Sequence, residues 1–303
     1  MTFRLEQKSP LGSEVARAAL AEIDAAIHDL GASELSFDER VHETRKHVKR
    51  LRAQLELVRR AVDRPSFEQR DSALRDVAHA LGPLRERAAQ DECLEALARE
   101  TPQDDDVARL RELTSPPPNH SAGEREHFLE RPRSALLSLR KEIEALSIDG
   151  DDWAAIAEDF QRTYAAGRKA HRHATYRPGA EELHGLRRRA KRHQYQLALI
   201  ETIWPGPIKA RRDELATLGD ELGEHHDLSL LQATLESASL PPALGTARRR
   251  LLSRIAARSR WLEASTLALA ARLFAERPRR LSNRFGDYFR AWREAPQSAV
   301  VSK

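Results

Sequence analysis

The sequence predicts an all-α protein, and two observations support this fold class. Alanine, leucine, arginine and glutamate dominate the 303-residue chain, and these residues have high helix propensity. Aromatic residues make up only 5%, and no segment alternates apolar and polar residues as a half-buried strand would. A hydrophobic content of 40% is enough for a substantial core beneath a surface that carries much of the 32% charged residues.

Helices of the first half are delimited by caps, glycines and prolines. Gly31 is expected to end the first helix, and Ser36 and Asp38 are candidate N-caps for the second. Pro65 is expected to break the chain before the third helix. The predicted helices are 14–30, one from 36 or 38 to about 62, 66–81, 84–100, 107–113 and 131–146, the last with an earlier start left open and a kink at Pro132. The clearest loop is 115–119.

The second half begins after an Asp-rich boundary at 148–152 and repeats this plan. Trp204-Pro205-Gly206-Pro207 is expected to end the helix that starts near residue 181. Pro241 and Pro242 are expected to open a long basic helix. The predicted helices are 153–169, 181–204, 208–222, one from Gly223 to about 237, 241–275 and 281–294, followed by a frayed tail.

One basic segment occurs twice, at 41–52 and 183–194. Each copy has an apolar residue, a histidine, basic residues three and four positions later, then lysine and arginine at seven and eight. On an α-helix, offsets of 0, 3, 4 and 7 fall on one face. The first stripe is therefore His42, Arg45, Lys46 and Lys49, extended by Arg52, and the second stripe is His184, Arg187, Arg188 and Lys191.

Like charges on one helix face repel each other, so each stripe requires compensation from outside its own helix. Within 42–52 only Glu43 can offset five Lys and Arg residues, and within 184–192 no acidic residue offsets five. An anionic ligand is the simplest source of compensation. The sequence therefore predicts an anion-binding site.

A second landmark indicates an internal duplication. Gly82 of a Leu-Gly pair follows His42 by 40 residues, and Gly223 of another follows His184 by 39. Both pairs are expected to end a helix. Two landmarks in the same order at nearly equal spacing predict two similar helical bundles, 11–146 and 151–294. A pseudo-two-fold axis would bring the stripe helices together.

Charge is distributed unequally between the halves. The net charge of +4 combines −5 for residues 1–150 with +9 for residues 151–303, which indicates an acidic partner.

The single cysteine, Cys93, excludes an intrachain disulfide and a Cys-based zinc site. No apolar run approaches about 18 residues, and residues 1–30 lack a signal-peptide core, so we expect a cytoplasmic protein with no membrane association.

These motifs resemble the CHAD family, the conserved-histidine α-helical domain, over residues 11–294. The resemblance implies two four-helix-type bundles, a basic central channel and binding of inorganic polyphosphate, with association with polyphosphate granules. Gln194, where the family usually has arginine, and Glu86, where aspartate is commoner, depart from the pattern. The matching residues are His42, Arg45, Lys49, Arg50 and Arg52 in the first copy and His184, Arg187, Lys191, Arg192 and Tyr195 in the second.

A full set of polyphosphate-binding residues follows from the stripes and the resemblance. Arg168 and Lys169 belong to it because they resemble a further basic site common in the family. Each histidine is expected to act as a proton-dependent donor, since its ordinary pKa is about 6.5. The set is His42, Arg45, Lys46, Lys49, Arg50, Arg52, Arg168, Lys169, His184, Arg187, Arg188, Lys191 and Arg192.

A binding protein is expected rather than an enzyme. The sequence shows no nucleophile paired with a base, no glycine-rich phosphate loop and no carboxylate cluster for Mg²⁺. We expect no cofactor and no metal, because cations surround His42 and His184. His225 and His226 are interpreted as polar or capping residues at a helix start.

Other functions remain open. Nucleic-acid binding is the main alternative, since a basic helix can enter a groove of the duplex. Against it, the aromatic residues are sparse and are not interleaved with the basic residues. A phosphohydrolase or phosphotransferase acting on polyphosphate and a scaffold for an acidic protein segment are the others. The sequence specifies neither protein partners nor oligomeric state.

Overall fold

The structure is a computed structural model, and it describes residues 5–82, 92, 93, 95, 122–148 and 150–296. Nine α-helices lie within these ranges. No strand occurs among these residues, so the predicted all-α class is confirmed. No helix in these ranges is long and apolar enough to cross a membrane. The helices are α1 (Leu11–Gly31), α2 (Phe37–Leu57), α3 (Arg64–Ala80), α4 (Ala122–Glu144), α5 (Ala154–Tyr176), α6 (Ala180–Leu199), α7 (Pro205–Ser237), α8 (Gly245–Leu273) and α9 (Pro278–Glu294).

Most boundary differences are small. Helix α5 continues beyond the predicted end at 169, while α6 ends before the predicted 204 and is followed by a 3-10 turn at Glu201–Ile203. A second 3-10 turn, Pro242–Leu244, precedes α8, and α4 passes through Pro132. The predicted helix at 107–113, the loop at 115–119 and nearly all of the predicted helix at 84–100 lie outside the described residues.

The start of α2 follows the predicted cap chemistry. The Ser36 hydroxyl accepts the backbone N–H of Glu39 at 3.3 Å, and the Glu39 carboxylate accepts the backbone N–H of Ser36 at 2.9 Å. This capping box satisfies donors that a helix start otherwise leaves unpaired. The helix ends at Leu57, earlier than predicted. Pro65 lies in the first turn of α3, where its missing N–H is tolerated.

The prediction that both Leu-Gly pairs end a helix is right for the first and wrong for the second. Helix α3 ends at Ala80, but α7 runs for 33 residues through Gly219 and Gly223. A Cβ on Gly223 would lie 3.0 Å from Nη2 of Arg187, and one on Gly219 would overlap Lys191. Glycine inside a helix costs up to about 1 kcal/mol relative to alanine. Here it allows side chains of α6 to lie against the α7 backbone.

Buried side chains form a core in each half, and α1 and α2 contribute to both. Ile23 of α1 and Leu51 of α2 pack with residues of α3 and α4. Val15 of α1 and Leu57 of α2 instead pack with residues of α5, α6, α7 and α9. All four side chains are fully buried. The apolar surface of α2 therefore attaches the first half of the chain to the second.

Polar contacts also join α2 directly to α6. The Gln196 side-chain amide donates to the carbonyl of Ala53 at 3.2 Å, and Arg192 forms an ion pair with Glu56. Gln196 is fully buried, so an unpaired amide there would carry a desolvation penalty. These contacts hold the two stripe helices side by side.

Candidate anion-binding site

Cations of the two stripes lie close enough to act on the same groups. The charge of Lys49 on α2 acts on His184 of α6. Burial raises the pKa of Tyr195 on α6, and the charges of Arg50 and Arg187 act on it in the opposite direction. The structure thus brings the first stripe of α2 and the second stripe of α6 to a common region.

The arginine three positions after each histidine makes a matching backbone contact. Arg45 donates through Nη1 to the carbonyl of Ala78 at 2.6 Å. Arg187 donates through Nε to the carbonyl of Gly219 at 3.4 Å. Each acceptor lies four residues before the glycine of a Leu-Gly pair. These bonds fix each guanidinium by a neutral acceptor.

Acidic residues on neighbouring helices compensate Arg52 of the first stripe and Arg50, which lies beside the stripe on α2. Counting charges within 42–52 identified only Glu43, but α1 and α3 supply two further carboxylates. Such ion pairs at partly exposed positions contribute about 0–1 kcal/mol each, yet they occupy the cations. The pairs are Lys46–Glu43 at 2.8 Å, Arg50–Glu22 at 3.8 Å and Arg52–Asp71 at 2.9 Å.

The second stripe is compensated only towards its C-terminal end. Lys191 pairs with Asp220 of α7 at 2.8 Å, and Arg192 pairs with Glu56 of α2. Among the described residues, no carboxylate forms an ion pair with Arg187 or Arg188. This end of α6 therefore presents cations that an external anion can neutralise.

The two histidines have different surroundings. Nε2 of His42 lies 4.0 Å from the Glu43 carboxylate. The ring of His184 instead packs against that of His226, with centroids 4.4 Å apart, and its Nδ1 is buried with no hydrogen-bond partner among the described residues. His226 lies inside α7, so its interpretation as a helix-start residue is wrong.

Electrostatics keep His184 neutral at physiological pH. Burial lowers its pKa to about 4, and the neighbouring His226, Arg188, Arg187 and Lys49 act in the same direction. The ordinary pKa of about 6.5 therefore does not apply to His184 in the ligand-free protein, and its role as a proton-dependent donor beside phosphate stays a prediction. An anion bound nearby would favour protonation of His184.

Arg168 and Lys169 lie on α5, which packs against α6. The charge of Arg168 acts on the hydroxyl of Tyr164, which donates to backbone carbonyls at the end of α8 and just beyond it. In the described part of the chain, neither residue forms an ion pair, and no hydrogen bond joins either one to a stripe. Their inclusion in the site remains an expectation from the family resemblance.

One cluster among the described residues could supply metal ligands. Ligand-type atoms of Asp29, Glu43 and His47 lie within 4.8 Å of one another. Nδ1 of His47 lies 2.5 Å from Glu22, its Nε2 lies 3.2 Å from Asp29, and Lys46 binds Glu43. These contacts pair the cluster internally and join α1 to α2. No pattern in the sequence indicated the role of Glu22.

Comparisons with known proteins agree with this architecture. A family model described as CHAD domain matches residues 14–236. The crystal structure of the CHAD domain from the plant Ricinus communis superposes with a TM-score of 0.64 at 19% sequence identity, covering 91% of this chain and 96% of that one. A comparison with curated proteins finds no match. The family model covers well over half of the sequence, and the chain therefore belongs to the CHAD family.

Proposed function

We propose that this protein binds inorganic polyphosphate along the surface where the first and second stripes meet. CHAD domains are associated with polyphosphate binding in general. The observation that carries the proposal is the proximity of the stripes, since Lys49 of α2 and Arg187 and Arg188 of α6 all act on His184. We further propose that 11–294 forms one domain of two related halves, 11–146 and 151–294.

The stripes suit a linear polyanion. His42 to Arg52 spans ten residues, about 15 Å of helix at 1.5 Å per residue, which is long enough to contact several consecutive phosphates. Arginine donates in a planar fork to phosphate oxygens, and lysine acts as a point charge. Binding would release counterions, so affinity should fall steeply with salt concentration. The proposed contacts involve no base recognition.

Competition with duplex DNA tests the ligand class. Polyphosphate of defined length should displace labelled duplex DNA at a phosphate concentration about tenfold or more below that needed for the reverse exchange, because the site follows a single flexible chain. Equal displacement in both directions would favour a general basic surface. Preferential retention of DNA would favour the nucleic-acid alternative.

Substitution of both backbone-anchored arginines tests the site. The double variant Arg45→Ala and Arg187→Ala should weaken polyphosphate binding by about tenfold or more, since each arginine offers a charge-assisted contact. Circular dichroism should show unchanged helicity. Wild-type affinity in a folded double variant would place the ligand elsewhere.

We infer that binding occurs without chemistry. The proposed contacts are cationic side chains, and none pairs a nucleophile with a general base. Incubation with long-chain polyphosphate and Mg²⁺ should leave the chain-length distribution on a gel unchanged. Time-dependent shortening that a heat-inactivated sample lacks would establish a phosphohydrolase or phosphotransferase instead.

A cytoplasmic location at polyphosphate granules would follow from this affinity. A fluorescent fusion of the full chain should colocalise with granules, and the Arg45→Ala and Arg187→Ala variant should be dispersed. Dispersed wild-type protein in cells that contain granules would refute this part of the proposal.

A further inference from the structure

A second basic feature lies at the opposite end of α2 from His42. The segment that joins α2 to α3, together with α5, encloses an open cleft of about 630 Å³. We name this feature the arginine cleft. Its lining residues are Arg59, Arg60, Val62, Arg64 and Arg162.

A buried carboxylate fixes two sides of the arginine cleft. Asp159 is only 2% exposed. Its Oδ2 accepts the backbone N–H of Arg60 at 3.0 Å, and its Oδ1 lies 2.9 Å from Nη1 of Arg162. Because it is buried and engaged by both partners, Asp159 orders the lining from behind. The arginines, rather than this acid, face the cleft.

The guanidinium of Arg60 forms an exposed ion pair with Glu158, and the two other arginines also have weak or exposed partners. The Arg59 guanidinium lies 5.2 Å from the ring centre of Phe67, and no carboxylate in the described ranges forms an ion pair with it. Arg64 pairs with Glu68 at 2.7 Å, but its side chain is 80% exposed. Exposed pairs of this kind exchange readily for a stronger anion. Arg59 and Arg64 are therefore available to a ligand.

The chemistry of the lining selects the ligand. Four guanidinium groups line one cleft, and the ion pairs of Arg60 and Arg64 with Glu158 and Glu68 are exposed, so the lining favours an oxyanion that accepts paired hydrogen bonds, above all phosphate. A volume of about 630 Å³ exceeds what one phosphate fills and lies within the range of small-molecule sites. Val62 is the apolar lining residue, and no aromatic ring stands among the described lining residues to stack a base. The cleft thus suits a compact ligand with several phosphates and no nucleobase.

We propose that the arginine cleft is a second, separate binding site for a compact oligophosphate. The lining residues of the cleft support this site independently of the stripes. His42 and Leu57 are 15 residues apart on α2, about 22 Å along the axis, so a three-phosphate ligand cannot bridge His42 and the cleft. Arg52, the nearer end of the first stripe, is five residues from Leu57, about 7.5 Å along the axis. The cleft is therefore separate from the histidine end of the stripe and adjoins its Arg52 end.

Calorimetric titration with tripolyphosphate at low salt tests the proposal. Arg59→Gln with Arg64→Gln should remove one binding event or weaken it by about tenfold or more, because two charge-assisted contacts are lost. Neither substitution strands a buried acid, so the fold should persist by circular dichroism. Arg249→Gln with Arg290→Gln, which removes the same charge from exposed positions on α8 and α9, should bind like wild type.

The Arg45→Ala and Arg187→Ala variant separates the two sites. It should retain the tripolyphosphate event that the cleft variant loses. If this variant binds long-chain polyphosphate like wild type, while the cleft variant is impaired in binding tripolyphosphate, the cleft proposal is supported and the proposed function of the stripes fails. Unchanged binding by the cleft variant, or an equal loss in the Arg249→Gln and Arg290→Gln control, would overturn the cleft. Displacement by citrate as effective as by pyrophosphate would overturn its assignment to phosphate.

Discussion

The first and second stripes contain nearly the same residues, but their helices place them in different electrostatic surroundings. On α2, Glu43 lies beside His42 and binds Lys46, and carboxylates of α1 and α3 pair with Arg50 and Arg52. On α6, the residue after His184 is Gly185, so no acid follows the histidine. The first stripe is partly neutralised from within the protein, whereas the histidine end of the second is surrounded by positive charge.

This difference indicates that two copies of one motif can contribute unequally to the free energy of ligand binding. A cation already engaged by a carboxylate must exchange that partner for phosphate, which reduces the net gain. Arg187 and Arg188 have no such partner among the described carboxylates. The second stripe should therefore contribute more to affinity, and the first should chiefly position the ligand.

The largest expected effect comes from removing the cations of the second stripe. Arg187→Ala with Arg188→Ala should lower polyphosphate affinity by about 100-fold, at about 1.5 kcal/mol for each charged contact. Arg50→Ala with Arg52→Ala, matched in charge, should lower it by less than about tenfold because both arginines are already paired. Titration at about 0.3 M salt screens distant charges and isolates these contacts.

Equal losses in the two double variants would break the comparison between the stripes. A larger loss in the Arg50→Ala and Arg52→Ala variant would reverse it. Thermal melts of both proteins guard against unfolding as the cause, because Arg187 also contacts the carbonyl of Gly219.

A smaller effect is expected from giving the second stripe the acid that the first has. Gly185→Glu reproduces the Glu43 arrangement, and a Cβ at Gly185 meets no atom within 4 Å. One negative charge beside the proposed site, at an intermediate dielectric, should weaken polyphosphate binding by about tenfold. Calorimetry should be compared with Gly185→Gln, which shares the gain in helix propensity but not the charge.

The reciprocal change sharpens the same point. Glu43→Gln releases Lys46 and should tighten binding by about threefold, the effect of one exposed ion pair. If Gly185→Glu and Gly185→Gln bind equally well, local charge at the second histidine is irrelevant to the ligand.

Helical periodicity and cap chemistry explain what the sequence could predict. The 3.6-residue repeat placed the residues of each stripe on one helix face, and the Ser36–Glu39 capping box marked the start of α2. The fold class followed from composition and the lack of strand patterns. These features depend on residues close together in sequence.

Tertiary contacts explain what the sequence could not predict. Glu22 and Asp71 lie on other helices, so no count within 42–52 could assign them to the first stripe. Gly223 resembles a helix end, yet α7 continues through it and Arg187 of α6 lies against its backbone. The low pKa of His184 arises from burial and from His226, a neighbour 42 residues away.

A separate prediction concerns stability rather than binding, and it also compares the two copies. Leu51 and His193 lie nine residues after His42 and His184, and both are fully buried. Burial lowers the pKa of His193 well below its ordinary value of 6.5, and the charge of Arg211 acts in the same direction. The folded state then binds fewer protons than the unfolded state, so this contribution to stability is full above pH 6.5 and is lost as pH falls.

His193→Leu should remove that dependence. Below pH 6.5, the free energy of unfolding measured in urea should fall more steeply for wild type than for the variant. The difference should be up to about 1.4 kcal/mol per pH unit, the value for one proton. Parallel stability profiles from pH 7 to pH 5 would show that His193 is not held neutral by its burial.

The most direct test is an NMR titration of the His184 ring between pH 7 and pH 5, with and without saturating polyphosphate of defined length. In the free protein His184 should stay neutral over this range, because its pKa is about 4. Phosphates bound between the stripes should raise that pKa, so the ring should begin to protonate and affinity should increase as pH falls. A His184 titration curve that polyphosphate leaves unchanged would contradict binding where the two stripes meet.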